Sequence, residues 1–386
     1  MNMRRLFLTL CSMLASCRLA GLLIAADPEN LTVQGISDPS IRVPVSLDGF
    51  SGEALSALRF DLEVAGFEVV PSDRAMLIIS GSTASSLIGR VTDRAKTSLL
   101  AKEYTGGSPR LQAHTFADDI VALLPGRRGI ARTKIAFKAE TGRNSEIYLA
   151  DYDGYNPTPV TQDNTITRDP AWVPGRRMLY YMSYRNGATV ISSHDLATGA
   201  RRKVAAYGGT SGSPALSPDG RLVAMISSKS GSPDLYVANA DGSGLRQLTQ
   251  TPQAESSPCW SPDGQTLCFT SGTRLYLINA NGGSMRSLAT GMPGKQTEPD
   301  WSPDGRTIAF TVEGGGFDLC VVPAGGGSAT RLVAGEDPSW APNSRTLIFT
   351  RRVGGRRVLS LLDVPTKQVK DVRQLSGSCS QPGWAR

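Results

Sequence analysis

The decapeptide WSPDGRTIAF at 301–310 repeats WSPDGQTLCF at 260–269 almost letter for letter. A unit written more than once constrains the architecture before any other feature does. Further copies are AWVPGRRMLYYMS from Ala171, ALSPDGRLVAMIS from Ala215, SWAPNSRTLIFT from Ser339, and a short one, GWAR, at 383–386. Aligned, they put Trp172, Leu216, Trp260, Trp301, Trp340 and Trp384 in one column, at spacings of 44, 44, 41, 39 and 44 residues. All five tryptophans fall in that column. A core of scattered aromatics has no reason to arrange itself this way.

Turn chemistry divides each copy. After the Trp, SPDG places Pro at the second position and Gly at the end, the residues of a type I turn between antiparallel strands. The next run, such as TIAFT at 307–311 or LIFT at 347–350, is β-branched or aromatic and reads as a strand. A loop, a strand such as SEIYLADY or PDLYVANA, a Gly-bearing turn and a last strand such as LRQLT follow. Four strands per unit result. Such a sheet cannot cover both of its own faces, so neighbours must stack, with the large Trp at the seam and its N–H within reach of a carbonyl. Radial stacking of twisted four-stranded sheets is a β-propeller.

Second strands start near Lys134, Met178, Leu222, Leu267, Ile308 and Leu347, which makes six. The first has no Trp-bearing strand before it, and the last Trp-bearing segment, SQPGWAR, has nothing after it. Residues 379–386 are therefore expected to complete the blade begun at 131–162 and so remove two open edges. The region upstream differs in kind. IRVPVSL alternates like a strand, and SGEALSALRFDLEVAG puts Leu55, Leu58, Leu62 and Ala65 on one helical face between a Ser51 cap and a Gly66 stop. The runs FEVV, AMLIIS, SSLIGRVT and KTSLLAKEY read as strands. A second helix starts at Ser108 and Pro109, with Phe116, Ile120 and Leu123 inward. The expectation is a leader at 1–26, a small α/β domain at 27–125 and an all-β six-bladed propeller at 126–386, closed by the C-terminal strand.

The leader reading rests on MNMRR followed by LFLTLCSMLA and small residues. Two mature forms fit: a soluble chain from Asp27, or a lipid-anchored one, because LASC at 14–17 resembles a lipobox ending at Cys17. Without the leader the formal charge of +7 falls to +4, spread thinly, which gives no footprint for nucleic acid. Cys259, Cys268, Cys320 and Cys379 show no CxxC spacing, so a structural zinc site is not expected. Cys259 and Cys268 flank one turn, as a disulfide or as two small buried side chains.

No catalytic set stands out. There is no GxSxG elbow, HExxH or P-loop pattern, and the two histidines read as structural: His194 in a surface turn, His114 partly exposed on the second helix. Polar residues do gather just before each inner strand, as Arg168 and Asp169, Thr210 and Ser213, Glu255 and Ser256, Thr297 and Glu298, Glu336 and Asp337, and Ser380 and Gln381. In a propeller these loops rise around one mouth of the channel, a setting for binding. A channel metal would have to use these acids, yet they repeat no consistent ligand set, so no metal or cofactor is assigned. The competing class is an exported propeller enzyme, peptidase-like or polysaccharide-lyase-like, which would need an added hydrolase domain or a histidine cluster.

GIARTKIAF followed by SEIYLADYDGYNPTPVT at 129–161, with AHTFADDI at 113–120, resembles the TolB family of the bacterial Tol-Pal system, and the likeness runs through the whole mature chain. The resemblance implies a non-catalytic, monomeric periplasmic adaptor. It would bind the lipoprotein Pal at the propeller mouth and TolA through the mature N-terminus, supporting outer-membrane integrity and invagination during cell division. By position, Thr210, Ser213 and Ser256 fall at the Pal-facing loops, and the stretch from Asp27 to about Gly35 at the TolA-binding strand. The shorter N-terminal domain and the LASC segment depart from the family pattern.

Overall fold

A computed structural model describes residues 38–185 and 187–386. The leader, Cys17 and the stretch from Asp27 to Gly35 lie outside the described residues. The first elements build one five-stranded sheet: β1 (Val43–Asp48), β2 (Phe67–Val69), β3 (Leu77–Thr83), β4 (Leu87–Asp93) and β5 (Ser98–Tyr104), in the order β2-β1-β3-β4-β5. β1 runs parallel to both its neighbours, and the other pairs are antiparallel. Helices α1 (Gly52–Val64) and α2 (Pro109–Ala122) pack against each other. The Ser108 hydroxyl accepts the Leu111 N–H and caps α2, whereas Ser51 occupies the α1 N-cap without a side-chain bond. Phe116 and Ile120 are buried as their spacing required, but Leu55 and Leu123 are only half-buried, with Ala54, Ala57 and Leu124 inside instead.

The rest forms six four-stranded sheets. Their innermost strands are Thr167–Trp172, Ser211–Leu216, Glu255–Trp260, Lys295–Trp301, Glu336–Trp340 and Cys379–Trp384. Every residue of the Trp column is thus the last residue of an inner strand. The strand Cys379–Trp384 pairs with Lys134–Thr141, Trp384 opposite Ile135, so the last strand completes the first blade. Each inner strand touches the next, and Cys379–Trp384 touches Thr167–Trp172 to close the ring. We number the blades 1 to 6 from the one that contains Lys134–Thr141.

Apolar clusters straddle neighbouring blades; one joins Trp260 of blade 4 to Leu235 and Val237 of blade 3. The Trp260 N–H donates to Ala215 O at 2.9 Å and the Trp172 N–H to Gly383 O at 3.0 Å, each in the preceding blade. The Trp301 indole donates within its own turn to Gly305 O, that of Trp384 to the Thr133 hydroxyl, and the Trp340 indole N–H has no partner among the described residues. The SPDG turns repeat to the atom. In blade 4 the Gly264 N–H donates to Ser261 O at 2.9 Å, the Ser261 hydroxyl to Asp263, and Gly264 sits at φ 70°, a conformation that favours glycine.

The α/β elements pack against blades 1 and 6 at the turn end of the strands. Pro39 O accepts from the Arg345 guanidinium at 3.1 Å, and Lys370 pairs with Glu63. The opposite end, where the inner strands begin, faces away from the α/β elements.

Candidate functional site

A channel of about 440 Å³ runs between the six inner strands and is lined by residues from all of them. Its polar lining comes from a feature repeated in every blade. Three residues before the Trp column stand Asp169, Ser213, Ser257, Glu298, Asp337 and Gln381, all at φ between 48° and 55°. The next position holds Pro170, Pro214, Pro258, Pro299, Pro338 and Pro382. In each pair the ladder register slips, so that two inner-strand residues oppose one on the second strand. This is a β-bulge with a left-handed first residue. Proline, which lacks an N–H, fits where ladder bonding is already interrupted.

In four blades the bulge lets the left-handed residue reach the next blade. The Asp337 N–H donates to Glu298 Oε2 at 2.9 Å, Gln381 N–H to Asp337 Oδ2 at 3.1 Å, Asp169 N–H to Gln381 Oε1 at 3.3 Å, and Ser213 N–H to Asp169 Oδ2 at 3.1 Å. Four links therefore stitch blades 5, 6, 1, 2 and 3. Around blade 4 no such link occurs among the described residues, because the hydroxyls of Ser213 and Ser257 are too short to span the gap.

These positions correct the expectation of loop residues: Thr210 precedes its strand, and the other eleven mouth candidates lie within inner strands. The bulge, rather than a loop, turns five of them toward the channel. Asp169, Ser213, Glu298, Asp337 and Gln381 take part in the ring. In blade 4 the equivalent residue is Ser257, one beyond Ser256, which is half-buried. Glu255, Thr297, Glu336 and Ser380 are buried. Glu255 accepts from the Thr251 and Ser271 hydroxyls at 2.7 and 2.9 Å, and Glu336 is held by Arg352 at 3.0 Å and Arg357 at 3.4 Å. Only Arg168 and Thr210 are exposed. The polar-Pro-x-Trp spacing, with Leu216 in place of Trp in blade 3, was the available signal for Ser257.

Burial in the channel wall, and after it the Glu298 carboxylate, push Asp337 well above the ordinary carboxylate range. A carboxyl whose folded pKa is raised stabilises the fold below its unfolded pKa, and that contribution is lost as pH rises through the folded value. Asp337→Asn keeps an oxygen for the Gln381 N–H and the Thr350 hydroxyl and removes the charge. It is expected to be more stable than the parent at pH 8 by about 1 kcal/mol. The gap should close as pH falls toward 3.8, the unperturbed Asp value. Thermal melts at pH 4, 6 and 8 check this, and a gap independent of pH refutes it.

Both histidines depart from their expected setting. His194 lies in the strand Ala188–Asp195 and is buried, which pushes its imidazole below the usual value. His114 is 4% exposed; its Nδ1 lies 2.7 Å from Asp61 and its Nε2 3.4 Å from Asp153. Tyr152 donates to Asp61 at 2.5 Å, and Arg110 pairs with Asp153 while its guanidinium lies 3.3 Å from the Tyr155 ring centre. Asp61, His114 and Asp153 offer ligand atoms within 4.8 Å of one another, but Asp61 is already held by His114 and Tyr152, and Asp153 by Arg110, which supplies the positive charge. The cluster is built as a hydrogen-bonded network, and the DYDGYN and AHTFADDI segments supply most of it. Cys259 and Cys268 stand directly opposite on paired strands and are free thiols, as are Cys320 and Cys379, all buried.

Fold and channel define a closed six-bladed β-propeller whose first and last blades carry a small α/β unit. A family model described as the TolB beta propeller domain matches residues 121–386. The chain belongs to this TolB propeller family. The Tol-Pal system protein TolB of Bordetella pertussis is 32% identical over 179 residues, 45% of this chain and 41% of that protein. The TolB homolog of Chlorobaculum tepidum is 34% identical over 181 residues, 45% of this chain and 42% of that protein. The matched stretch therefore spans less than half the length of these curated relatives. The crystal structure of TolB from Acinetobacter baumannii shares the fold with a TM-score of 0.80 at 22% identity, covering 90% of this chain and 98% of that one.

Proposed function

We propose that this propeller is a non-catalytic periplasmic adaptor of a Tol-Pal system. It binds the lipoprotein Pal at the channel mouth that faces away from the α/β elements, and TolA through the segment from Asp27 to about Gly35. In this role it supports outer-membrane integrity and invagination at division. The observation that carries the reading is the mouth itself: six bulged strands present a polar ring that is stitched on five blades and left unstitched at blade 4. A partner's polar groups would find the Ser256 and Ser257 hydroxyls there, beside those of Thr210 and Ser213, which bond Ser228 and Asp169. The two histidines stand in buried structural positions rather than in the channel, which supports binding over chemistry.

Immobilised Pal tests the proposal. Thr210→Arg combined with Ser256→Arg places two long cations at this sector, and capture is expected to fall at least tenfold, about 1.4 kcal/mol, with an unchanged circular dichroism spectrum. Capture at the parent level would move the contact elsewhere.

A further inference from the structure

We infer that a hollow between α1, α2 and the outer strand of blade 6 is a binding site for a single carboxylate joined to an apolar group. The hollow measures about 380 Å³, at the small end of the range for ligand pockets. Four cations line it: Arg110, Arg351, Lys370 and Arg373. Three are matched by acids, Arg110 by Asp153, Arg351 by Asp371 at 2.9 Å, and Lys370 by Glu63. Arg373 is exposed and has no acid partner among the described residues.

A second donor is also unused. Arg110 is 6% exposed, yet its Nε has no hydrogen-bond partner. That nitrogen is itself shut off from solvent, so Arg110 lends the wall of the hollow positive charge and leaves Arg373 as the free donor. One negative charge balances the surplus of Arg373. A phosphate dianion would bring a second negative charge against Asp153 and Asp371 in the same wall. The Phe60 and Tyr155 rings line the hollow too, which gives the rest of the ligand an apolar surface.

The carboxylate could belong to a small free acid or to a Glu or Asp side chain of a peptide, and two probes separate these sources. Phenylacetate and the peptide N-acetyl-Phe-Glu-amide are titrated calorimetrically into the full chain, with phenylacetamide as the uncharged control. At least one acidic probe is expected to bind saturably at one site, and phenylacetamide to bind at least tenfold more weakly. Arg373→Glu should weaken the acidic probe tenfold or more without altering the melt, since that side chain is exposed. Arg221→Glu, with a side chain 84% exposed in a turn of blade 3, should bind as the parent does. Binding of phenylacetate assigns a small acid, and binding of the peptide alone assigns a protein segment. No saturable binding by either probe, or undiminished binding by Arg373→Glu, overturns the site. The Thr210→Arg, Ser256→Arg variant should bind the probes normally, so failure here leaves the mouth reading untouched.

Discussion

Deleting residues 379–386 is expected to abolish the cooperative thermal transition and leave an aggregating chain. Those eight residues supply the innermost strand of blade 1. Trp384 is 2% exposed and packs in the largest core cluster, beside Tyr152 and Ile135. Truncating a buried Trp to Ala alone costs about 3–5 kcal/mol, a large part of the 5–15 kcal/mol by which proteins are typically stable. Deletion also uncovers the edge of Lys134–Thr141 and removes the Gln381 link between blades 6 and 2. Arg386 adds a reach across the ring, donating to Trp340 O at 3.2 Å and Trp301 O at 3.3 Å and pairing with Asp300. Circular dichroism melts and size-exclusion profiles of the truncated chain test this, and a monomeric species with a sharp transition near the parent's would refute closure by this strand. Trp384→Ala alone should give a soluble protein with a markedly lowered melting point.

Asp61→Ala should rank second. Asp61 is 4% exposed and accepts from both His114 and Tyr152. Its removal leaves two buried polar groups without an acceptor and an imidazole facing only Asp153. Breaking a buried, hydrogen-bonded ionic network by deleting one member costs about 3–5 kcal/mol. Partners in one network are not additive, so Asp61→Ala with His114→Ala should cost clearly less than the sum of the single changes. Urea denaturation of the four proteins measures the coupling. Additive costs would mean that the residues act independently and that the seam is held by its apolar contacts.

The residues that carry the family likeness are explained by this same seam. In DYDGYN, Asp151 pairs with Lys134 and accepts from Asn156 at 2.6 Å, Tyr152 and Asp153 reach Asp61, His114 and Arg110, and Tyr155 lies against Arg110. In AHTFADDI, His114 enters the network, and Asp118 accepts the Ala131 N–H at 2.8 Å and binds Arg132. The sequence shows these letters as a signature, but nothing local in it says that His114 is buried. Asp61 and His114 are 53 positions apart and Asp61 and Tyr152 are 91 apart, so their meeting depends on how α1, α2 and blade 1 pack.

Blade number, strand count per blade, the position of each Trp and the pairing of the last segment with the first blade were all determined by the sequence alone. They rest on short-range rules, turn chemistry and strand alternation, that repeat about every 42 residues and so can be counted. Tertiary structure decided which polar side chains lie in water and which do not. It buried Glu255, Thr297, Glu336 and Ser380, turned a left-handed residue toward the channel in every blade, and left the bulge residue of blade 4 without a link to its neighbours among the described residues. Desolvation is a property of what lands on a group from distant parts of the chain, and a lone repeat cannot specify its neighbours.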